Sequence, residues 1–374
     1  MSAPSSKVPF IDLRREYVRL KGEIDAAVQG VLTRGHFILG PENAALEEEF
    51  ARYCDARHGI LLGSGTDAIC LALRAAGIGP GDEVITVSHT AVATIAAIRL
   101  TGAQPVLVDV DDETLNIDVA AVEAALTTRT KAVIAVHLYG RPADVAKLAA
   151  LTQRRGIALI EDAAQAQGAR VGGKAVGSFG RVAAFSFYPT KNIGAYGDGG
   201  AIVTNDDEIA KQVRLLRQYG WGKVRYISEI EGTNSRMDEM QAAIVRVKLR
   251  VSTEDDRARQ AHARAYDEGL RDIPLRLPTR SPDIKHAFHL YVVRTPERDA
   301  LKRHLAERGI DTAIHYPAAV HQQGPYRELV RGALPVTERA VGEILSLPLY
   351  PDLRRDELDL VVAEVRSFFA GRRA

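Results

Sequence analysis

Ile157-Ala158-Leu159-Ile160-Glu161-Asp162-Ala163-Ala164-Gln165 is an apolar run that ends abruptly in two acids followed by small residues and an amide. A strand apolar along nearly its whole length is buried on both faces, which places it in a mostly parallel sheet covered by helices on each side. The carboxyl end of such a strand is where open α/β sheets hold ligands. Asp162 at that end can keep a pyridine ring nitrogen protonated. Ala164 offers a small flat surface to a ring, and Gln165 a donor to a ring oxygen. Taken alone, Asp162 reads equally well as a capping residue.

The pattern around this strand repeats. Apolar runs at Gly59–Leu62, Val84–Val87, Val106–Val108 and Lys131–Val136 alternate with helical periodicity over 66–76, 91–101, 119–126 and 143–154. Strands separated by helices of 10–15 residues make βαβ units and an α/β fold. Further strands are predicted at 182–187 and 200–204, and helices at 206–218 and 237–250, with a separate, highly charged helix at 253–270. The Pro-, Arg- and Asp-rich stretch 273–285 reads as a seam. A strand near 290–294 and helices near 298–308, 337–345 and 356–369 then predict a smaller α+β unit. The division expected is 1–250 for a large domain and 251–374 for a small C-terminal one.

Composition narrows the function classes. The chain has 374 residues, 46% hydrophobic and 26% charged, enough for a substantial core without covalent staples. Lys and Arg total 49 against 48 Asp and Glu, so there is no bulk attraction to nucleic acid or an acidic membrane. No compact basic helix supports DNA binding, which argues against a non-enzymatic regulator. Cys54 and Cys70 are too few for a disulfide framework. Residues 1–7 lack the apolar core of a signal peptide, and no run approaches the roughly 20 apolar residues of a membrane span. A soluble, reduced, cytoplasmic protein is expected.

Three more segments carry chemistry. Leu62-Gly63-Ser64-Gly65-Thr66-Asp67-Ala68 is a glycine-rich turn from strand to helix, where free N–H groups suit a phosphate or simply form a tight turn. The dinucleotide fingerprint it resembles requires an acid at the end of the next strand, where this chain has Ser88-His89. Phe185-Ser186-Phe187-Tyr188-Pro189-Thr190-Lys191-Asn192, followed by Gly197-Asp198-Gly199-Gly200, fixes a lysine in a constrained turn after a strand. A Schiff-base lysine must be deprotonated to attack, and therefore wants partial burial. Ser186 is placed to bind a phosphate. Gly232-Thr233-Asn234-Ser235-Arg236-Met237-Asp238-Glu239 is a turn into a helix, and a helix start explains Ser235 and Asp238.

Together these segments resemble the DegT/DnrJ/StrS family of sugar aminotransferases, across nearly the whole chain from Val8-Pro9-Phe10-Ile11-Asp12-Leu13 to Ser346-Leu347-Pro348-Leu349-Tyr350-Pro351. The resemblance implies an aspartate-aminotransferase-like large domain of PLP fold type I, with pyridoxal 5′-phosphate as cofactor. It implies Lys191 as the Schiff-base and proton-moving lysine, and Asp162 as partner of the pyridine nitrogen. Gln165 would bond the cofactor oxygen, with Gly65, Thr66 and Ser186 on the phosphate and Ala164 beside the ring. Asn234 would reach the neighbouring subunit's cofactor, making a homodimer with shared active sites. Tyr188, Arg225, Tyr226, His315 and His321 would contact the nucleotide sugar. Relatives commonly carry an aromatic residue where this chain has Ala91, and His89 is the candidate to cover the ring instead. The implied reaction is amination at C3 of a dTDP-3-keto-6-deoxyhexose, with L-glutamate as donor. A C4 aminotransferase acting on a dTDP- or UDP-4-keto sugar and a PLP-dependent sugar dehydratase are the alternatives. Lys191 favours transamination, because dehydratase relatives carry His there.

His286 and His289 are spaced for a metal only on a helix. Residues 288–293 read as a strand, whose alternation sends the two side chains to opposite faces, so no metal site is expected.

Overall fold

A computed structural model of the chain describes residues 8–371; the segment 1–7, where the sequence argues against a signal peptide, lies outside them. Two helices, α1 (Leu13–Arg34) and α2 (Pro41–Tyr53), lead into β1 (His58–Leu62), α3 (Gly65–Ala75), β2 (Glu83–Val87), α4 (Val92–Leu100) and β3 (Gln104–Val108). Then come α5 (Val119–Ala125), β4 (Thr130–Val136), α6 (Val145–Arg155) and β5 (Ala158–Asp162). A short ribbon, β6 (Arg170–Val171) and β7 (Lys174–Ala175), precedes β8 (Val182–Ser186), β9 (Gly200–Thr204), α7 (Asp207–Leu216) and α8 (Glu239–Leu270). The rest is β10 (Ile284–Lys285), β11 (Tyr291–Arg294), α9 (Arg298–Glu307), α10 (Pro335–Glu343), β12 (Ile344–Leu347) and α11 (Arg355–Ala370).

The central sheet has seven strands in the order β1-β9-β8-β5-β4-β2-β3. β9 runs antiparallel to both its neighbours, while the pairings β2–β3, β2–β4, β4–β5 and β5–β8 are parallel. The apolar runs read from sequence are these strands, and β2, β8 and β9 are buried along their whole lengths. In register, Asp162 at the end of β5 lies opposite Val136 at the end of β4 and Ala184 of β8. The carboxyl ends of β4, β5 and β8 therefore converge beside the amino end of α3. Glycine is required there: a Cβ on Gly200 would sit 2.3 Å from the Ser64 carbonyl oxygen, and one on Gly65 2.7 Å from Ser186 Cβ.

Three expectations are corrected. The helices expected at 237–250 and 253–270 are one continuous α8, because nothing from Arg250 to Asp255 breaks a helix and Ser252 Oγ bonds back to the Leu249 carbonyl at 2.7 Å. Residue 250 thus lies within a helix. The early part of α8 packs in cores with α1 and α2, and its late residues Ala263, Tyr266 and Leu270 join a second core built from β11, β12, α9 and α11. Residues 288–290 are not strand: Phe288 has φ +45°, and β11 starts only at Tyr291. The helix expected to reach residue 345 ends at Glu343, where the chain extends into β12 and pairs antiparallel with β11. Among the described residues no helix is long and apolar enough to cross a membrane, and both cysteines are free.

Candidate active site

A cavity of about 380 Å³ opens at the convergence of strand ends. Its lining joins the segments the sequence singles out: Ser64, Gly65 and Thr66 from the start of α3, Asp162, Ala164 and Gln165 after β5, and Ser186, Tyr188 and Lys191 after β8. His315 and Tyr316 close it from the C-terminal unit. Ser64 caps α3, its hydroxyl accepting from the Asp67 N–H at 3.1 Å. The first backbone N–H groups of α3 thus stay free beside the Ser186 hydroxyl, as an anion site needs.

Asp162 is 5% exposed. Its Oδ2 accepts from Thr94 Oγ1 at 2.7 Å and its Oδ1 from the Ala164 N–H at 3.2 Å. Burial pushes its carboxyl above the usual range, against the pull of those two donors and of Lys191. Lys191 is itself pushed down to about 8, by burial, with Asp162 opposing. An amine in that state keeps a deprotonated fraction near neutrality and remains a nucleophile. Gln165 is oriented by its neighbours: the Tyr139 N–H donates to Oε1 at 2.6 Å, leaving Nε2 to donate to the Tyr316 hydroxyl at 3.1 Å. Burial and the nearby Lys191 hold His289 well below the ordinary histidine range and His315 at about 4. Both imidazoles are neutral at pH 7, so Lys191 is not competing with cationic rings.

The model of the DegT/DnrJ/EryC1/StrS aminotransferase family matches residues 18–366. The chain belongs to this family. It is 48% identical over 96% of its length to the erythromycin biosynthesis sensory transduction protein EryC1 of Saccharopolyspora erythraea, covering 99% of that protein. It is 47% identical over 98% of its length to a dTDP-3-amino-3,4,6-trideoxy-alpha-D-glucose transaminase of Streptomyces venezuelae, covering 97% of it. Among solved structures it superposes on S. venezuelae DesV in complex with a ketimine intermediate with a TM-score of 0.94 at 46% identity, over 98% of this chain and 99% of that one.

The protein is thus an aminotransferase whose cofactor is pyridoxal phosphate. The cavity fits that group on its own evidence. A buried carboxylate aims into it, a lysine with a lowered pKa lies beside that carboxylate, and a glycine-lined helix start leaves no room for a Cβ where a phosphate would rest.

Not every anticipated residue reaches the cavity of one chain. His89 does not: it is 1% exposed, its Nε2 is 2.9 Å from the Tyr139 hydroxyl, and that hydroxyl donates to the His315 carbonyl. The tyrosine's proton being used there, His89 Nε2 must be the donor, which fixes its tautomer and leaves Nδ1 without a partner. It braces the wall instead of covering a ring. His321 is likewise behind the wall, with Nδ1 2.7 Å from Ser88 Oγ and Nε2 3.3 Å from Glu338. Arg225, Tyr226 and Asn234 stand on an exposed loop and turn outside the cavity, the Arg225 guanidinium 4.8 Å from the Tyr226 ring centroid.

Conversely, Thr90, Thr94, His289 and Tyr316 line the cavity and the sequence reading assigned them no role. Thr94 lies three residues beyond Ala91 and Tyr316 directly after His315, so position was visible but not direction. The strand reading of 288–293 hid His289, because the kink at Phe288 turns it to the cavity, where its Nδ1 meets Asn192 Oδ1 at 3.2 Å. No group of three metal-ligating side chains occurs among the described residues.

Proposed function

We propose that this aminotransferase places an amino group on C3 of a dTDP-linked 3-keto-6-deoxyhexose, taking it from L-glutamate and releasing 2-oxoglutarate. The observation that carries the substrate is near-full-length likeness to a transaminase named for a dTDP-3-amino sugar. Pyridoxal phosphate, when bound, supplies the electron sink that lets an amino group leave one carbon skeleton and join another.

The chain's own residues supply the rest. The N–H groups of Gly65 and Thr66 and the Ser186 hydroxyl bind the phosphate. Asp162 holds a proton on the ring nitrogen by its charge, in a site where burial magnifies that charge. Ala164 would border the cofactor ring, and Gln165 Nε2, which has a second hydrogen besides the one given to Tyr316, would donate to its oxygen. Lys191 anchors the cofactor and then moves a proton at the reacting carbon, which its lowered pKa allows near pH 8. Tyr188, at the exposed mouth, and His315 contact the sugar. His289 and Tyr316 narrow the cavity and keep water from the reacting carbon.

The active form we propose is a homodimer in the cytoplasm. Each exposed turn carrying Asn234 completes the partner's phosphate site, and each loop carrying Arg225 and Tyr226 borders the partner's substrate entrance. Two unpaired cysteines suit a reducing compartment. Incubation with a panel of dTDP- and UDP-keto sugars plus glutamate, followed by mass spectrometry, tests the assignment. A product that gains one nitrogen from the dTDP-3-keto sugar supports it; a product only from another nucleotide or keto position overturns it.

A further inference from the structure

Thr94 is the third residue of α4, and a threonine in a first helical turn ordinarily bonds to its own helix. Here it does not. It is 1% exposed, and its hydroxyl reaches 2.7 Å across the cavity wall to Asp162 Oδ2. Its oxygen also lies 3.0 Å from that of Thr90, which is buried beside it. A hydroxyl has one hydrogen. An ionised Asp162 can only accept, so the Thr94 proton points to Asp162 and the Thr90 proton to Thr94. The two hydroxyls form a directed pair that ends on the carboxylate, launched from a helix start whose partial positive charge also favours an anion. The first turn of α4 carries no acidic residue to compete for it.

We propose that Thr94 is a positioning residue for Asp162: its hydroxyl, oriented by Thr90, holds the carboxylate ionised and aimed into the cavity. Burial alone drives the carboxyl toward its neutral form, and a neutral acid cannot hold a proton on a pyridine nitrogen. The Ala164 N–H fixes Oδ1, and Thr94 fixes Oδ2, so that rotation about the last side-chain bond is blocked from both ends. The other ionisable groups facing Asp162 are Lys191, His137 and Tyr316. The His137 ring is tied on its far side to Glu161 at 3.1 Å and accepts the Ala143 N–H at 3.0 Å. Thr94 is then the only side-chain donor among the described residues bonded to Asp162 itself.

The inference rests on Asp162 serving as partner of the ring nitrogen, and the test separates the two ideas. Binding of pyridoxal phosphate to the cofactor-free full chain is titrated for the parent, Thr94→Val, Thr94→Ser, Thr90→Val, Asp162→Asn and the Thr94→Val/Asp162→Asn pair. The pH titration of the yellow Schiff-base band is recorded for each holoenzyme. Losing one hydrogen bond to a charged group corresponds to roughly a ten- to hundredfold fall in affinity, expected for Thr94→Val, with a smaller fall for Thr90→Val and near-parental values for Thr94→Ser. The protonated band should persist to higher pH in Thr94→Val, because a ring nitrogen that keeps its proton less firmly leaves the imine more basic. In the Asp162→Asn background, Thr94→Val should cost nothing further. Parental affinity and titration in Thr94→Val, or an equal loss with and without Asp162, overturns the proposal. An Asp162→Asn protein that binds and titrates like the parent overturns the reading of Asp162 instead. If Thr94→Val does not fold, Thr90→Val decides by the same two readouts.

Discussion

Ser88 Oγ and His321 Nδ1, 233 residues apart in the chain, lie 2.7 Å from each other. The same hydroxyl oxygen accepts the His321 N–H at 3.1 Å, and the Ser88 carbonyl accepts the Val320 N–H at 3.0 Å. Two residues past the end of β2, Ser88 and His89, thereby fasten the segment 315–321 of the C-terminal unit, His89 acting through Tyr139 on the His315 carbonyl. That segment carries His315 and Tyr316 into the cavity. His321 is thus outside the cavity lining and holds the loop that enters it.

His321→Ala removes the partner of a buried hydroxyl, a cost of about 1–3 kcal/mol. Calorimetry should show a lower Tm, and steady-state kinetics a raised KM for the sugar. The cofactor absorption should match the parent. A parental KM would mean that the segment holds its place without this bond.

Lys191 yields a prediction with a definite sign. Burial lowers its pKa to about 8, so the reactive free amine increases as pH rises through that value. The rate at which added pyridoxal phosphate is captured should climb from pH 7 to 9 and then level off, as stopped-flow absorbance reads it. A climb continuing toward the ordinary lysine value, about 10.4, would contradict the burial argument. Borohydride should fix the cofactor to the peptide containing Lys191. Lys191→Ala should abolish turnover while still binding cofactor through the phosphate cradle.

If Asn234 completes the partner's site, mixing Lys191→Ala and Asn234→Ala subunits should restore one competent site in each hybrid dimer. Activity should rise above either parent after subunit exchange, followed by assay of the mixed species. Hybrids no better than their parents, or a monomer in sedimentation at assay concentration, would defeat shared sites.

Arg225→Ala should lower kcat/KM for the nucleotide sugar by roughly ten- to a hundredfold, the value of one hydrogen bond to a charged group. The yellow colour should be untouched, because Arg225 lies outside the cavity that holds Lys191. Product NMR decides the regiochemistry: nitrogen is expected on C3. Turning the hexose over would present C4 without altering Lys191, Asp162 or Gln165, so a C4 amine would leave the aminotransferase and remove the substrate.

What the sequence alone determined is what depends on short range. Short apolar runs bounded by turn residues read as strands buried on both faces, and glycines mark the tight connections between them, with no room for a Cβ at Gly65 and Gly200. An acid and a lysine placed just after two such strands arrive at one edge of a parallel sheet, whatever the loops do. Side-chain direction was decided by contacts between segments far apart in the chain. Thr94 and Asp162 are separated by 68 residues, and only the packing of α4 against the end of β5 makes the threonine a donor to the carboxylate. His89 looked like a candidate to cover a ring, but Tyr139, just past the end of the neighbouring strand β4, captured it. His289 looked like one strand residue among others, until the left-handed turn at Phe288 brought it to the cavity wall. α8 runs through its charged middle because partners from α1, α2 and α11 cover its successive faces, and periodicity carries no record of neighbours that lie far away in the chain.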